Sequence, residues 1–322
     1  MAKTSEVAAQ NPLLVKTPWQ KFWIRFKKNW QLHAMVFVPL CYLILFSYVP
    51  MYGLQIAFKD YRARAGIWGS EWVGLENFAK FFSNYKWPLY VWNTLALSLY
   101  SLFASFPVPI LLALTIHINT NKVLKKVAQN VSYMPHFISL VVMIGILFST
   151  LHPVAGMLGS IYRALGVENP IDIRYAKQTF RHLYVWSGVW QGMGWSSILY
   201  VSALSGVPDE LHEAAKLDGA SRLRRVWAID VPTILPTICI MLIMRCGSLL
   251  SVGYQKAYLM QSPVNKDVSE IISTYVYNNG LKKNQMSFGT AVGLMNSLIN
   301  VTMLTIVNWI TNKLSDHEMG LW

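Results

Sequence analysis

Six long apolar runs alternate with polar stretches along the chain, at about residues 33–54, 88–117, 131–151, 183–204, 234–254 and 288–310. Each reaches the roughly 20 residues that a helix rising about 1.5 Å per residue needs to cross about 30 Å of hydrocarbon. The pattern predicts an all-α integral membrane protein with six transmembrane helices. The second run is long enough to tilt or bend, and Pro107 and Pro109 remove two backbone donors within it, which predicts a kink there. Gly188 with Gly192, and Gly289 with Gly293, give small-xxx-small pairs that let helices approach closely in a bundle. Of the polar stretches, residues 55–87 carry Trp68, Gly69, Trp72 and Gly74 among mixed charges and read as a folded segment. Residues 152–182 and 255–287 carry the turn signals His152-Pro153, Asn169-Pro170 and Ser262-Pro263.

Composition agrees with burial in lipid. Apolar and aromatic residues make up 54% of the 322 and charged residues only 13%, about half the share usual for soluble chains. The formal charge of +13 raises the question of nucleic acid, but the basic residues are scattered among loops with no recognition motif, so no nucleic-acid partner is expected. Topology accounts for more of it. Lys21, Arg25, Lys27 and Lys28 precede the first run, and Lys122, Lys125 and Lys126 lie between the second and third, which places both regions in the cytoplasm. The gross count is neutral: this topology puts 14 Lys/Arg inside, 13 outside and Arg245 within a span. The expected organisation is a basic cytoplasmic segment 1–32, a transmembrane domain 33–314 and a short cytoplasmic tail 315–322. The first apolar run lacks a small-residue cleavage site and reads as a retained anchor. Cys41, Cys239 and Cys246 all lie within apolar runs, so neither a disulfide framework nor a metal site is expected.

The polar stretch between the fourth and fifth runs, about 205–235, is the most specific. Pro208 and Asp209 suit a first helical turn, and Asp218 and Gly219 suit a sharp reversal. Ser221 can cap a second short helix from Arg222 to Trp227. The series Glu213-Ala214-Ala215, Asp218-Gly219-Ala220, then Ile229 and Pro232, resembles the coupling loop of membrane subunits of bacterial ATP-binding-cassette importers. Val226 and Val231 stand where that family commonly has phenylalanine and leucine. Within the family the long external loops and basic N-terminus look most like permeases for oligosaccharides and polysaccharides.

That resemblance, spanning roughly residues 33–314, implies a type I importer permease fold in the bacterial cytoplasmic membrane, with both termini cytoplasmic. It implies these partners: a cytoplasmic ATPase dimer carrying ATP and Mg, a second permease or second copy of this one, and an extracytoplasmic solute-binding protein. In it, Glu213, Ala214, Ala215, Asp218, Gly219, Ala220, Ile229 and Pro232 would dock on the ATPase. No phosphate-binding loop occurs in the chain, so no catalytic residue and no cofactor are expected on it.

Solute contacts must come from polar or aromatic groups at membrane depth. Trp186 and Trp190 lie one turn apart with Gln191 and Trp195 beside them; sugar binding and an interfacial aromatic belt are both open readings. Asn296 and Asn300 share a face and suit either a solute or a neighbouring helix, and Asn93 near the outer end of the second run suits a solute or simple hydration. Arg245, about 16 Å along the fifth run by helical rise, lacks any acidic partner in the other runs. It would line the path of an oligosaccharide, with an acidic one such as a uronate oligomer (alginate, for example) included, or link to another helix or subunit. A passive channel, or a membrane enzyme acting on lipid-linked substrate, fits the hydropathy but leaves the Glu-Ala-Ala loop unexplained.

Overall fold

The computed structural model describes residues 17–314 and is helical almost throughout. The expected segment 1–32 lies partly, and the tail 315–322 wholly, outside the described residues. The described residues fall into two compact units, which divide between Gln55 and Ile56. In the first, α1 (Pro18–Lys28) precedes α2 (Trp30–Leu43), which runs on through a π-helical stretch at Ile44–Tyr48. Every residue from Met35 to Met51 is exposed, although nearly all are apolar, which is the surface a lipid-facing helix presents.

The second unit opens with a small antiparallel ribbon, β1 (Lys59–Asp60) and β2 (Glu71–Trp72), in which Lys59 pairs with Trp72 and its Nζ lies 4.9 Å from the Trp72 ring centroid. Asn77, on α3 (Glu76–Phe82), closes the ribbon by donating to the carbonyls of Ala57 and Lys59 at 3.0 Å each. The 55–87 stretch is thus folded, and by a ribbon that no alternation of apolar residues announced.

The second apolar run is α4 (Trp87–Ser105) and α5 (Pro107–Ile118), which meet at a turn on Phe106, directly before the two prolines. The third differs from expectation. Instead of one span over 131–151, α6 (Lys122–Tyr133) ends in a 3-10 turn at Met134–Phe137, and α7 (Leu140–Thr150) leaves at 103° to it. Pro135 and the extended backbone of Ile138 and Ser139 break the helix, and the Ser139 hydroxyl accepts from Val142 N–H to start the next. After α8 (Met157–Ala164), the 28-residue α9 (Lys177–Leu204) is long enough, at about 42 Å, to cross a bilayer. Its polar first turns keep it less apolar than the other long helices. Among the described residues four helices are both long and apolar enough to span, five if the bent pair counts as one span.

The fifth run also departs from its expected bounds. Helix α12 (Val231–Cys246) starts earlier than 234 and ends at Cys246, eight residues short of 254; α13 (Tyr254–Met260), α14 (Lys266–Ser269) and α15 (Ile272–Val276) follow before the long α16 (Met286–Leu314). Helix α9 is central: it packs on α4, α5 and α12. One core joins Leu97, Met143, Phe180, Val185, Val189, Met260 and Ile271, and a second joins Ala113, Leu114, Tyr200, Leu204, Val207, Val226 and Ile234. Of the four small-pair glycines, Gly289 meets Gly280 and Gly188 meets Lys256, whereas Gly192 and Gly293 face open space.

Candidate functional site

Between α9 and α12 the chain forms α10 (Asp209–Leu217), a reversal, and α11 (Arg222–Arg225), which continues through a π-helical stretch, Val226–Asp230, into α12. Asp209 and Glu210 occupy the first turn of α10, where negative charge meets the positive end of the helix. At the other end Gly219 N–H donates to Lys216 C=O (3.1 Å) and Ala220 N–H to Ala215 C=O (2.9 Å), the paired bonds of a Schellman cap. That cap needs a left-handed residue at the position after Asp218, and Gly219 supplies it with φ +78°. The Ser221 hydroxyl then accepts from Arg224 N–H. Pro232, which has no N–H to donate, sits in the first turn of α12 directly after the π-helical stretch, where a helix least needs that donor.

The two short helices meet in a V whose concave side is a cavity of ≈ 310 Å³, lined by Ala215, Asp218, Gly219, Ala220, Arg224, Arg225, Ala228 and Ile229. Small side chains leave this space open. Glu213 and Ala214 are exposed beside it, and Leu217, Leu223 and Trp227 are 89%, 70% and 70% exposed. The loop's base is anchored, because Val207, Val226 and Ile234 enter the second core.

A second site lies among the long helices. Arg245, in the last turn of α12, borders two cavities. One, of ≈ 190 Å³, is lined by hydroxyls: Ser98, Ser101 and Ser105 on one face of α4, Ser248 and Ser251 in the break after α12, and Tyr184 on α9. The other, of ≈ 450 Å³, has Trp195, Tyr200 and Met241 on its walls. None of the lining residues of either is acidic, so the guanidinium faces open, neutral and hydroxylic space. Tyr184 has the buried Lys256 on its ring, with Nζ at 4.8 Å from the centroid.

The remaining sequence-derived candidates are separate from Arg245. Trp186 and Trp190 border a different, apolar groove of ≈ 420 Å³ with Met143, Ile146 and Leu147, and the Trp186 indole donates to the Tyr100 hydroxyl at 2.9 Å. The Gln191 amide donates to the Ile138 carbonyl (2.8 Å), satisfying the backbone where α6 turns into α7. The Asn300 amide oxygen accepts from Leu250 N–H (3.0 Å) and its nitrogen donates to Ser251 Oγ (2.9 Å), while Asn296 reaches the Leu250 carbonyl at 3.5 Å. The two asparagines thus hold the broken end of α12, and Asn300 sets Ser251, one of the serines that line the cavity. Asn93 is fully buried rather than hydrated: it donates to the carbonyls of Asp267 (2.8 Å) and Glu270 (3.1 Å) and accepts from Arg181 (3.0 Å).

Sequence reading missed the serine face and Tyr184. Positions 98, 101 and 105 have helical spacing, which is a signal, but only the break at Gly247 folds Ser248 and Ser251 toward them.

With this geometry in hand, residues 105–316 match the family model described as "Binding-protein-dependent transport system inner membrane component". The chain belongs to that family. This permease is 38% identical over 305 residues to the polygalacturonan/rhamnogalacturonan transport system permease protein YteP of Bacillus subtilis (strain 168), covering 95% of this chain and 92% of the other. It is 36% identical to protein LplB of the same organism, with 91% and 92% covered. Among solved structures it superposes with TM-score 0.82 and 32% identity on a bacterial ABC transporter involved in the import of the acidic polysaccharide alginate, covering 91% of this chain and 99% of the other. A second structure, of the bacterial alginate ABC transporter with its alginate pentasaccharide-bound periplasmic protein, gives 0.83, 32%, 93% and 99%. The permease is therefore a multi-pass inner-membrane transport component with a type I importer fold.

Proposed function

We propose that this permease carries acidic oligosaccharides built from uronic acids inward through the cavities bordered by Arg245, driven by ATP and Mg bound to separate ATPase subunits. The observation that carries the reading is Arg245 itself, a cation with no acidic neighbour in either cavity it borders, facing a surface of six hydroxyl-bearing residues. Hydroxyls match the sugar ring, and a guanidinium matches the carboxylate of a uronate in a two-bond fork. The relatives that act on polygalacturonan/rhamnogalacturonan and on alginate support the same class.

In this reading the 205–235 loop is cytoplasmic and docks on an ATPase dimer. Leu217, Leu223 and Trp227 supply apolar contact, Glu213 a charged one, and Ala214, Ala215, Asp218, Gly219 and Ala220 a shallow surface for close approach, while Ile229 and Pro232 fix the exit into α12. Both termini are then cytoplasmic, a second permease completes the path, and an extracytoplasmic solute-binding protein delivers the sugar. ATP and solute act by favouring different conformations of one assembly.

The test is ATPase stimulation of the reconstituted complex by oligogalacturonates and by neutral oligosaccharides of equal length. Stimulation by the uronates, with Arg245→Met losing it more for uronates than for any neutral sugar still accepted, supports the reading. Equal response to both sugar classes in wild type and variant overturns the acidic assignment, and failed assembly of Arg245→Met assigns the arginine to packing.

A further inference from the structure

Where the loop meets the helix bundle, three residues far apart in sequence converge. His117 ends α5, His212 sits on α10 and Asp230 closes the π-helical stretch before α12. Asp230 is 1% exposed, and its Oδ1 lies 3.0 Å from His212 Nε2 and 3.5 Å from His117 Nε2. All three candidate ligand atoms lie within 4.8 Å of one another. Neither Asp230 Oδ1 nor His212 Nε2 makes a hydrogen bond, although they are close enough for one; the ring N–H direction misses the oxygen. A carboxylate taken out of water without a donor is costly, so this arrangement calls for a cation at the point on which the three atoms converge.

We propose that His117, His212 and Asp230 form a binding site for a single zinc-class transition-metal ion. Tetrahedral ligands about 2.0–2.1 Å from such an ion stand about 3.3 Å from each other; the two Asp230–histidine separations, 3.0 and 3.5 Å, bracket this value, and the two imidazole nitrogens, within 4.8 Å of each other, would draw together around the ion. Two imidazoles and one carboxylate, without thiolate, favour zinc and its first-row neighbours over the oxygen-seeking magnesium and calcium. A cavity of ≈ 200 Å³ adjoins the three ligands and leaves a fourth position open. Lys125, Arg222 and Arg225 line it together with Asp209, so that position suits water or a small anion better than a further cation. The ion would tie the first helix of the loop to the end of α5 and the start of α12, fixing the angle at which the loop is presented. The site depends neither on the sugar nor on the docking partner proposed above.

The test uses the full-length permease in lipid nanodiscs, with any affinity tag removed. Co²⁺ is added as a spectroscopic probe and Zn²⁺ is titrated against a chelating indicator. The expected result is the intense visible ligand-field bands of four-coordinate Co²⁺, displaced by Zn²⁺ at one equivalent per chain and unaffected by Mg²⁺. His117→Gln and His212→Gln should each weaken Zn²⁺ binding by more than about 100-fold, the upper end of the effect of losing an outer-sphere partner. His136→Gln, which alters a histidine stacked on Trp195 outside the cluster, should leave it unchanged. Zn²⁺ should also slow amide exchange across residues 209–217 in the wild type alone. Absence of Co²⁺ bands in the wild-type protein, or Zn²⁺ binding that survives both histidine variants, overturns the proposal.

Discussion

The loop at 205–235 and the cavities around Arg245 are built on opposite principles. The loop is local: its helix start, Schellman cap, serine cap and exit proline all lie within about two dozen residues, and each device acts on its immediate neighbours. The cavity at Arg245 is assembled from a serine face on α4, a tyrosine on α9 and a helix break whose backbone is held by α16. A local element can be damaged by one wrong backbone conformation. A distributed one also fails when the residues that hold the break are lost, however far in sequence they lie from its lining.

Gly219→Val gives the largest expected effect on this contrast. A β-branched residue at φ +78° costs about 1–2 kcal/mol and undoes the cap, so transport and co-purification with the ATPase should fall at least about tenfold while membrane insertion is unchanged. Normal transport would show that the bend is not needed for coupling. Next comes Asn300→Leu, which leaves the Leu250 N–H and Ser251 hydroxyl without their partner at a cost of about 1–3 kcal/mol. Loss of solute stimulation with ATPase binding intact would separate the two regions, whereas simultaneous loss of both would join them. Asn93→Ala, which removes two hydrogen bonds from α4 to the end of α14 and one from Arg181 of α9, should lower the melting temperature of the purified permease by a similar free energy, with little change in which sugar it accepts. A changed sugar preference would bring Asn93 back into the solute path.

The smallest effect concerns the stretch after α8, remote in sequence from both regions. Arg174 donates to Asp172 at 2.8 and 2.6 Å, and this holds the carboxyl below its usual range. A depressed carboxylate stabilises the fold above its unfolded pKa of about 3.9, and the contribution disappears as pH falls through the lower folded value. The pair is partly exposed, so Asp172→Asn should cost no more than about 1 kcal/mol near neutral pH and nothing in strong acid. A loss that persists in strong acid would show that the aspartate acts through packing instead.

The two regions also differ in how far they could be read beforehand. Glu213 to Pro232 spelled out a bent two-helix element because cap, turn and proline chemistry act over a few residues. Gln191, Asn93, Asn296 and Asn300 were visible as polar groups in apolar runs, but whether each met a solute or a backbone carbonyl depended on which helix break came opposite. The break at Gly247 was hidden because an apolar run reads the same whether its helix is straight or broken; Pro135 marked the other in the sequence, but not the 103° bend that follows it. Breaking a helix there exposes donors and acceptors that only a neighbouring helix can satisfy.

By itself the sequence determined an all-α membrane chain, the approximate position of those long helices that are unbroken, and the local form of the loop that the family resemblance singles out. These depend on the cost of leaving apolar groups in water and backbone groups unpaired in lipid, and both are paid residue by residue along the chain. Tertiary structure alone decided that Arg245 faces hydroxyls, that Trp186 and Trp190 border a different groove while Trp195 lines the cavity at Arg245, and that His117, His212 and Asp230 share one point. Those are contacts between residues up to about a hundred positions apart or more, set by how α9 packs on its neighbours, and no periodicity within a single helix carries that information.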